Sequence, residues 1–190
     1  MNIDDLLCVG ATDKIFRVDH SSGKKIELTY PSRVGFNNEA LAYRKMMGQY
    51  DNIRSGNHLN GAFKYFDNDQ KEYSNSGGEV SPIDIPFGLN SISRSGNFFL
   101  PWNGAALQPG ETVEVTISGG NQTQSRTFNA TAIGSSYIVL EQFQLNNLVA
   151  GTASIQITRQ KTAGLQSSNL SGGRITSIYK GRKVNINITG

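Results

Sequence analysis

In Thr112-Val113-Glu114-Val115-Thr116-Ile117 every second residue is apolar and β-branched, and Gly119-Gly120-Asn121 then turns the chain. Side chains in a strand point to opposite faces in alternation. Val113, Val115 and Ile117 therefore share a dry face, and Thr112, Glu114 and Thr116 share a wet one. The pattern repeats downstream. Phe128, Ala130 and Ala132 alternate with Thr127, Asn129 and Thr131 ahead of Gly134-Ser135-Ser136, and Tyr137 to Leu140 is an unbroken apolar run. Leu145-Asn146-Asn147-Leu148 reads as a corner between sheets. Ala153, Ile155 and Ile157 then alternate with Ser154, Gln156 and Thr158, and Arg174–Tyr179 and Val184–Thr189 read as a hairpin around Lys180-Gly181. Six or seven strands within about 90 residues, with a turn about every 10, predict an antiparallel immunoglobulin-like β-sandwich over residues 98–190. The cysteine pair and buried central tryptophan of antibody domains are missing, so the likeness is one of architecture alone.

Residues 1–97 are expected to form a β-rich docking or assembly region with one short helix. Lys14–Val18 and Lys24–Tyr30 flank the turn formers Asp19-His20-Ser21-Ser22-Gly23 and read as a hairpin. Phe36, Ala40, Tyr43 and Met47 recur at helical spacing, with Asn37 or Asn38 as cap and Gly48 near the exit, which predicts a helix over about 38–47. Residues 49–60 read as a loop and Ala62–Phe66 as a short aromatic strand. The segments 67–70 and 74–78 are rich in turn residues. Pro82 and Pro86 hold Ile83-Asp84-Ile85 extended, as at a sheet edge, and residues 88–97 read as a linker. The expected class is thus mainly β throughout.

The chain has 190 residues, long enough to bury roughly 70% of its unfolded surface without covalent staples. Cys8 is the single cysteine, so no intramolecular disulfide forms. The acidic start Met1-Asn2-Ile3-Asp4-Asp5 is unlike a secretory leader, and no apolar run reaches the ~20 residues that span a bilayer. Charged residues make up only 17%, which leaves an exterior of Asn, Gln, Ser, Thr and Gly. Eleven Lys/Arg face twelve Asp/Glu through Leu100, giving −1, and seven face three from Pro101 onward, giving +4, so the C-terminal half is the basic one within a net charge of +3. Lys180, Arg182 and Lys183 are its one tight basic cluster. Without interleaved aromatics to stack bases, it reads first as a solvated turn and not as a nucleic-acid site, with a surface that attracts phosphate or an acidic partner as the alternative.

Candidate chemistry is sparse. His20 and His58 are the only histidines, both in polar, turn-rich contexts, and their spacing from Cys8, Asp4 or Asp19 supports neither a nucleophile with its base nor a zinc site. Asp67-Asn68-Asp69 starts like a calcium loop, but Lys71 stands at the fifth position and no glycine at the sixth. Glu111, Glu114 and Glu141 give no pair suited to glycoside hydrolysis. The pairs Gly77-Gly78, Gly119-Gly120 and Gly172-Gly173 are not followed by helical patterns and read as turns, not phosphate cradles. No catalytic residue, metal or cofactor is expected.

Aromatics edged by amides are the remaining lead: Trp102 in Phe98-Phe99-Leu100-Pro101-Trp102-Asn103-Gly104, and Tyr65 and Tyr73 beside the polar excursion, all read first as core packing, with a ligand or partner surface as the alternative. An uncharged polar exterior on a sandwich scaffold suits a protein that works outside cells, and a chain lacking a leader reaches that place when virions are released by lysis. The sequence therefore leads to the expectation of a non-enzymatic virion protein made in the host cytoplasm, a decoration, fibre-like or spike-like component. Its partners would be other virion proteins or copies of itself, with a surface glycan as a further ligand, and with neither nucleic acid nor membrane insertion. Such a position is filled many times, so a homo-oligomer is expected. The alternative is a carbohydrate-binding or adhesin module of a bacterial surface system.

Overall fold

The computed structural model describes residues 2–9, 12–18, 27–46, 49–53, 61–77, 80–168 and 173–190; of residues 2–9, 12–18, 49, 51–53 and 173 it describes the backbone alone. The protein is mainly β, in several sheets, with one short helix among the described residues. It divides into two compact units. The first comprises Met1–Val80 with Lys161–Ile178, and the second Ser81–Gln160 with Tyr179–Gly190.

The first unit holds β1 (Asn2–Val9), β2 (Thr12–Val18), β3 (Arg33–Phe36), β4 (Glu39–Ala40), β5 (Ala42–Arg44), β6 (Gln49–Ile53), β7 (Ala62–Phe66) and β8 (Glu72–Ser76). β2 lies antiparallel between β1 and β6, with β6 pairing along Thr12–Ile15. Of the hairpin expected between Lys14–Val18 and Lys24–Tyr30, β2 is present and residues 27–30 carry no strand, while 19–26 lie outside the described residues. A second sheet runs β4-β3-β7-β8, all antiparallel.

The helix expected over 38–47 is likewise absent from 38–46, and Met47 lies outside the described residues. Asn37 and Asn38 are not a cap. They take φ of 48° and 69° and form the two-residue turn joining β3 to β4, a left-handed pair that asparagine tolerates and that suits a tight hairpin. Asn37 is locked there, its backbone N–H donating to the Ala62 carbonyl (3.0 Å) and its Oδ1 accepting from the Ala62 N–H (2.9 Å). The apparent helical spacing was accidental, since Phe36 is buried at the end of one strand while Ala40 is exposed on the next. Phe36 packs on Phe63 with ring centroids 4.8 Å apart. Gly61 makes that possible, because a Cβ there would fall 1.7 Å from Phe36 Cζ. Val34, Leu41, Tyr50, Tyr65, Tyr73 and Ile175 complete this core.

The second unit holds β9 (Ile83–Asp84), β10 (Ser91–Ser93), β11 (Phe98–Pro101), β12 (Asn103–Gly104), β13 (Glu111–Ser118), β14 (Arg126–Ala130), β15 (Tyr137–Leu140) and helix α1 (Gln142–Leu145). β16 (Gly151–Gly164) and β17 (Gly173–Thr189) are long strands that each contribute to both units. Within the second unit the sheet order is β14-β13-β16-β17, with β10 added to β17, while β11 pairs with β15 and β9 with β12. Burial along β13 alternates without exception, Val113, Val115 and Ile117 being fully buried. They meet Leu100, Trp102, Ile138, Leu140, Ile155 and Ile157 in a single core.

Three features depart from the expected pattern. β10 lies within residues 88–97, which read as a linker, and runs parallel to β17 through Ile92↔Ile188; β1 also pairs with β17 in parallel. The segment 145–148 ends a helical turn instead of forming an extended corner, with α1 opened by a hydrogen bond from the Gln142 N–H to Asn97 Oδ1 at 2.8 Å. Lys180-Gly181 is no turn at all, because β17 is continuous through it. Gly181 is there because the backbone of Ile83 passes so close that a Cβ would stand 2.7 Å from the Ile83 carbonyl oxygen and 3.0 Å from Ile157 Cγ2.

Candidate functional site

The aromatic residues singled out in the sequence are buried. Trp102 is 6% exposed and sits in the core of the second unit, its indole N–H donating to the Ala105 carbonyl at 3.1 Å. Tyr65 and Tyr73 are brought together as a directly opposed pair on β7 and β8, stacked with centroids 5.8 Å apart, and both are buried. Asp67 ties the adjoining turn. Its Oδ1 accepts the Asp69 and Lys71 N–H groups, each at 3.0 Å, and its Oδ2 accepts the Tyr73 hydroxyl at 3.1 Å, so both carboxylate oxygens are engaged in holding the chain.

Burial first, and then the hydrogen bond and charge of Asp67, push the Tyr73 phenol above its ordinary pKa of 10.0. The folded state thus holds the proton more tightly than the unfolded chain, so the contribution is fully present below pH 10 and is lost as pH rises through the folded value. A Tyr73→Phe variant is expected to lose this alkaline component of the stability–pH curve, measured by urea denaturation between pH 9 and pH 11.

The basic cluster is divided. Arg182 is committed: Nε contacts Asp84 Oδ2 at 2.8 Å, Nη2 donates to the Ile85 carbonyl at 2.7 Å, and the guanidinium lies 4.0 Å from the Phe87 ring centroid. Lys180 and Lys183 are exposed on the same strand. His20 and His58 lie outside the described residues, as does the side chain of Cys8.

A different surface brings together exposed aromatic rings and a polar groove. β11 and β15 pair so that Phe99 faces Val139 and Pro101 faces Tyr137. Leu100, Ile138 and Leu140 turn inward, and the outward set Phe99, Pro101, Tyr137 and Val139 is apolar as well. Phe99 and Tyr137 are 61% and 46% exposed, their ring centroids 5.9 Å apart and tilted by 50°. Tyr137 also borders a groove of about 500 Å³ between β14 and β15. That groove has Phe128 and Ile138 beneath it and hydroxyls, amides and one carboxylate on its walls, among them Asn129, Thr131, Glu141 and Gln144. The side chains of these four enter no hydrogen bond or ion pair with other described residues.

No family model and no curated protein matches the chain. The chemistry of the site is therefore read from its geometry. A concave, hydroxyl- and amide-lined wall beside an exposed aromatic pair suits a binding site more than a reaction centre, because its polar groups can orient a ligand while the rings shield its apolar faces. The sequence carried a signal for it. In both Phe98–Pro101 and Tyr137–Leu140 the positions of either parity are apolar, so one face of each strand had to be left uncovered or covered by something else.

Proposed function

We propose that the protein is a non-enzymatic structural component of a virion, with the second unit as an outward module and the first as the part that docks into the particle. The observation that carries this reading is the outer face of the second unit's main sheet. Thr112, Thr116 and Ser118 on β13, Thr127 and Asn129 on β14, and Asn185 and Asn187 on β17 make it a field of hydroxyls and amides, with Glu114 as the charge on its β13 row. Such a face forms hydrogen bonds with copies of the chain or with neighbouring coat proteins while desolvating little charge beyond Glu114, and repeated use of one surface is what symmetric assembly requires.

We further propose that this unit is an immunoglobulin-like sandwich, one layer formed by β14-β13-β16-β17 and the other by β11-β15. Support comes from the period-2 burial of β13 and from inward residues of both strand groups sharing one core. Rate-zonal sedimentation of a lysate in which particles assemble tests the functional reading. The chain is expected to travel with particles and to leave them as a multimer; an isolated monomer that never sediments with particles would contradict it.

A further inference from the structure

We propose that the groove between β14 and β15 is a binding site for a neutral saccharide, with Tyr137 and Phe99 as its stacking platform. The site is a property of the second unit by itself, so it does not require that the chain be part of a virion.

Three observations converge on this ligand class. The first is the platform. Phe99 and Tyr137 lie on neighbouring strands with their rings 5.9 Å apart, and both are open to water. Pyranose rings present C–H groups on their faces, which pack on aromatic rings, while their rim hydroxyls need hydrogen-bonding partners nearby; Tyr supplies both an apolar body and a polar tip. The second is the wall beside it. Asn129 and Gln144 each offer a donor and an acceptor from one amide, Thr131 offers a hydroxyl, and Glu141 offers two acceptor oxygens. This mixture matches hydroxyls that both donate and accept, and none of the four groups is engaged elsewhere in the described residues. Other amides of the same unit are engaged, as in Gln122 bonded to Val149, Gln142 to Ser95 and Gln156 to Gly181.

The third is charge. Among the described residues no Lys or Arg lines the groove, and Glu141 is the one carboxylate that does. A sialylated, sulfated or phosphorylated glycan would thus meet repulsion and no counter-charge, which selects against acidic sugars. A volume of about 500 Å³ accommodates a short oligosaccharide, within the span of ordinary small-molecule sites. An extended peptide is less well matched, because the wall's polar groups are mostly side-chain amides and hydroxyls and its aromatics stand at one rim.

The test is a printed array of neutral hexose and deoxyhexose oligosaccharides alongside sialylated and sulfated ones, followed by titration calorimetry of the full chain with the best neutral hit. Neutral glycans are expected to bind, and Tyr137→Ala and Gln144→Ala are each expected to weaken binding by about tenfold or more while the thermal melt stays close to that of the parent chain. Lys183→Ala, at an exposed position that is not part of the groove, is expected to bind as the parent does. Three outcomes would overturn the proposal: no neutral oligosaccharide bound even at about 10 mM, a preference for the acidic glycans, or undiminished binding by both groove variants. None of these outcomes depends on whether the chain sediments with particles.

Discussion

Glu111→Ala is expected to destabilise the second unit by about 3–5 kcal/mol, read as a shift of the urea midpoint followed by tryptophan fluorescence. Arg159, on β16, is wholly buried, and Glu111 at the start of β13 is 6% exposed. Glu111 Oε2 stands 3.9 Å from Arg159 Nη1 and also accepts the Gln108 N–H at 3.0 Å. Arg159 Nη2 donates to the Ala105 carbonyl, while its Nε and Nη1 make no hydrogen bond. Burial drives the Arg159 pKa below its usual value, and the Glu111 charge opposes that shift. Removing Glu111 thus leaves a desolvated cation with one carbonyl for a partner. Replacing both residues with apolar ones, as in Glu111→Leu with Arg159→Met, removes the burial penalty together with the attraction and is expected to cost less than Glu111→Ala alone. A single-variant cost under about 1 kcal/mol would place the pair in the surface regime and refute this account of it.

Trp102→Ala is expected to destabilise the same unit by about 3–5 kcal/mol, the usual cost of removing a large buried aromatic. The indole is enclosed by the core and anchored to the Ala105 carbonyl that also accepts from Arg159, so one carbonyl fixes the loop between β12 and β13 from two sides. Trp102→Phe keeps most of the packing and loses that hydrogen bond, and an intermediate cost of about 1–2 kcal/mol is expected. Circular-dichroism-monitored denaturation separates the cases. A Trp102→Ala protein with parental stability and weakened glycan binding would make Trp102 the ligand platform and remove that role from Tyr137.

The mainly β class was legible wherever alternation was uninterrupted, as along Val113-Glu114-Val115-Thr116-Ile117, because half-buried strands impose that period on their sequences. The failures arose where a local signal has two physical causes. Asn37-Asn38 before spaced apolar residues reads as a helix cap, yet asparagine serves equally at positive φ, and pairing with Ala62 selects the turn. Lys180-Gly181 reads as a turn, yet a glycine inside a strand also marks a close backbone approach, and only the fold brings Ile83 alongside it. Phe99 and Tyr137 were hidden for a similar reason. An apolar residue on an apolar strand looks like core until the partner strand shows which parity faces inward.

Both the core and the groove depend on that parity in β15, where Ile138 and Leu140 are buried and Tyr137 is open. Equilibrium denaturation of Ile138→Asp and Tyr137→Asp, side by side, tests it most directly. Ile138→Asp is expected to fail to fold or to lose more than about 4 kcal/mol, because a carboxylate is forced into the core. Tyr137→Asp, one residue away, should lose no more than about 1 kcal/mol. Equal losses, or the larger loss at Tyr137, would contradict it.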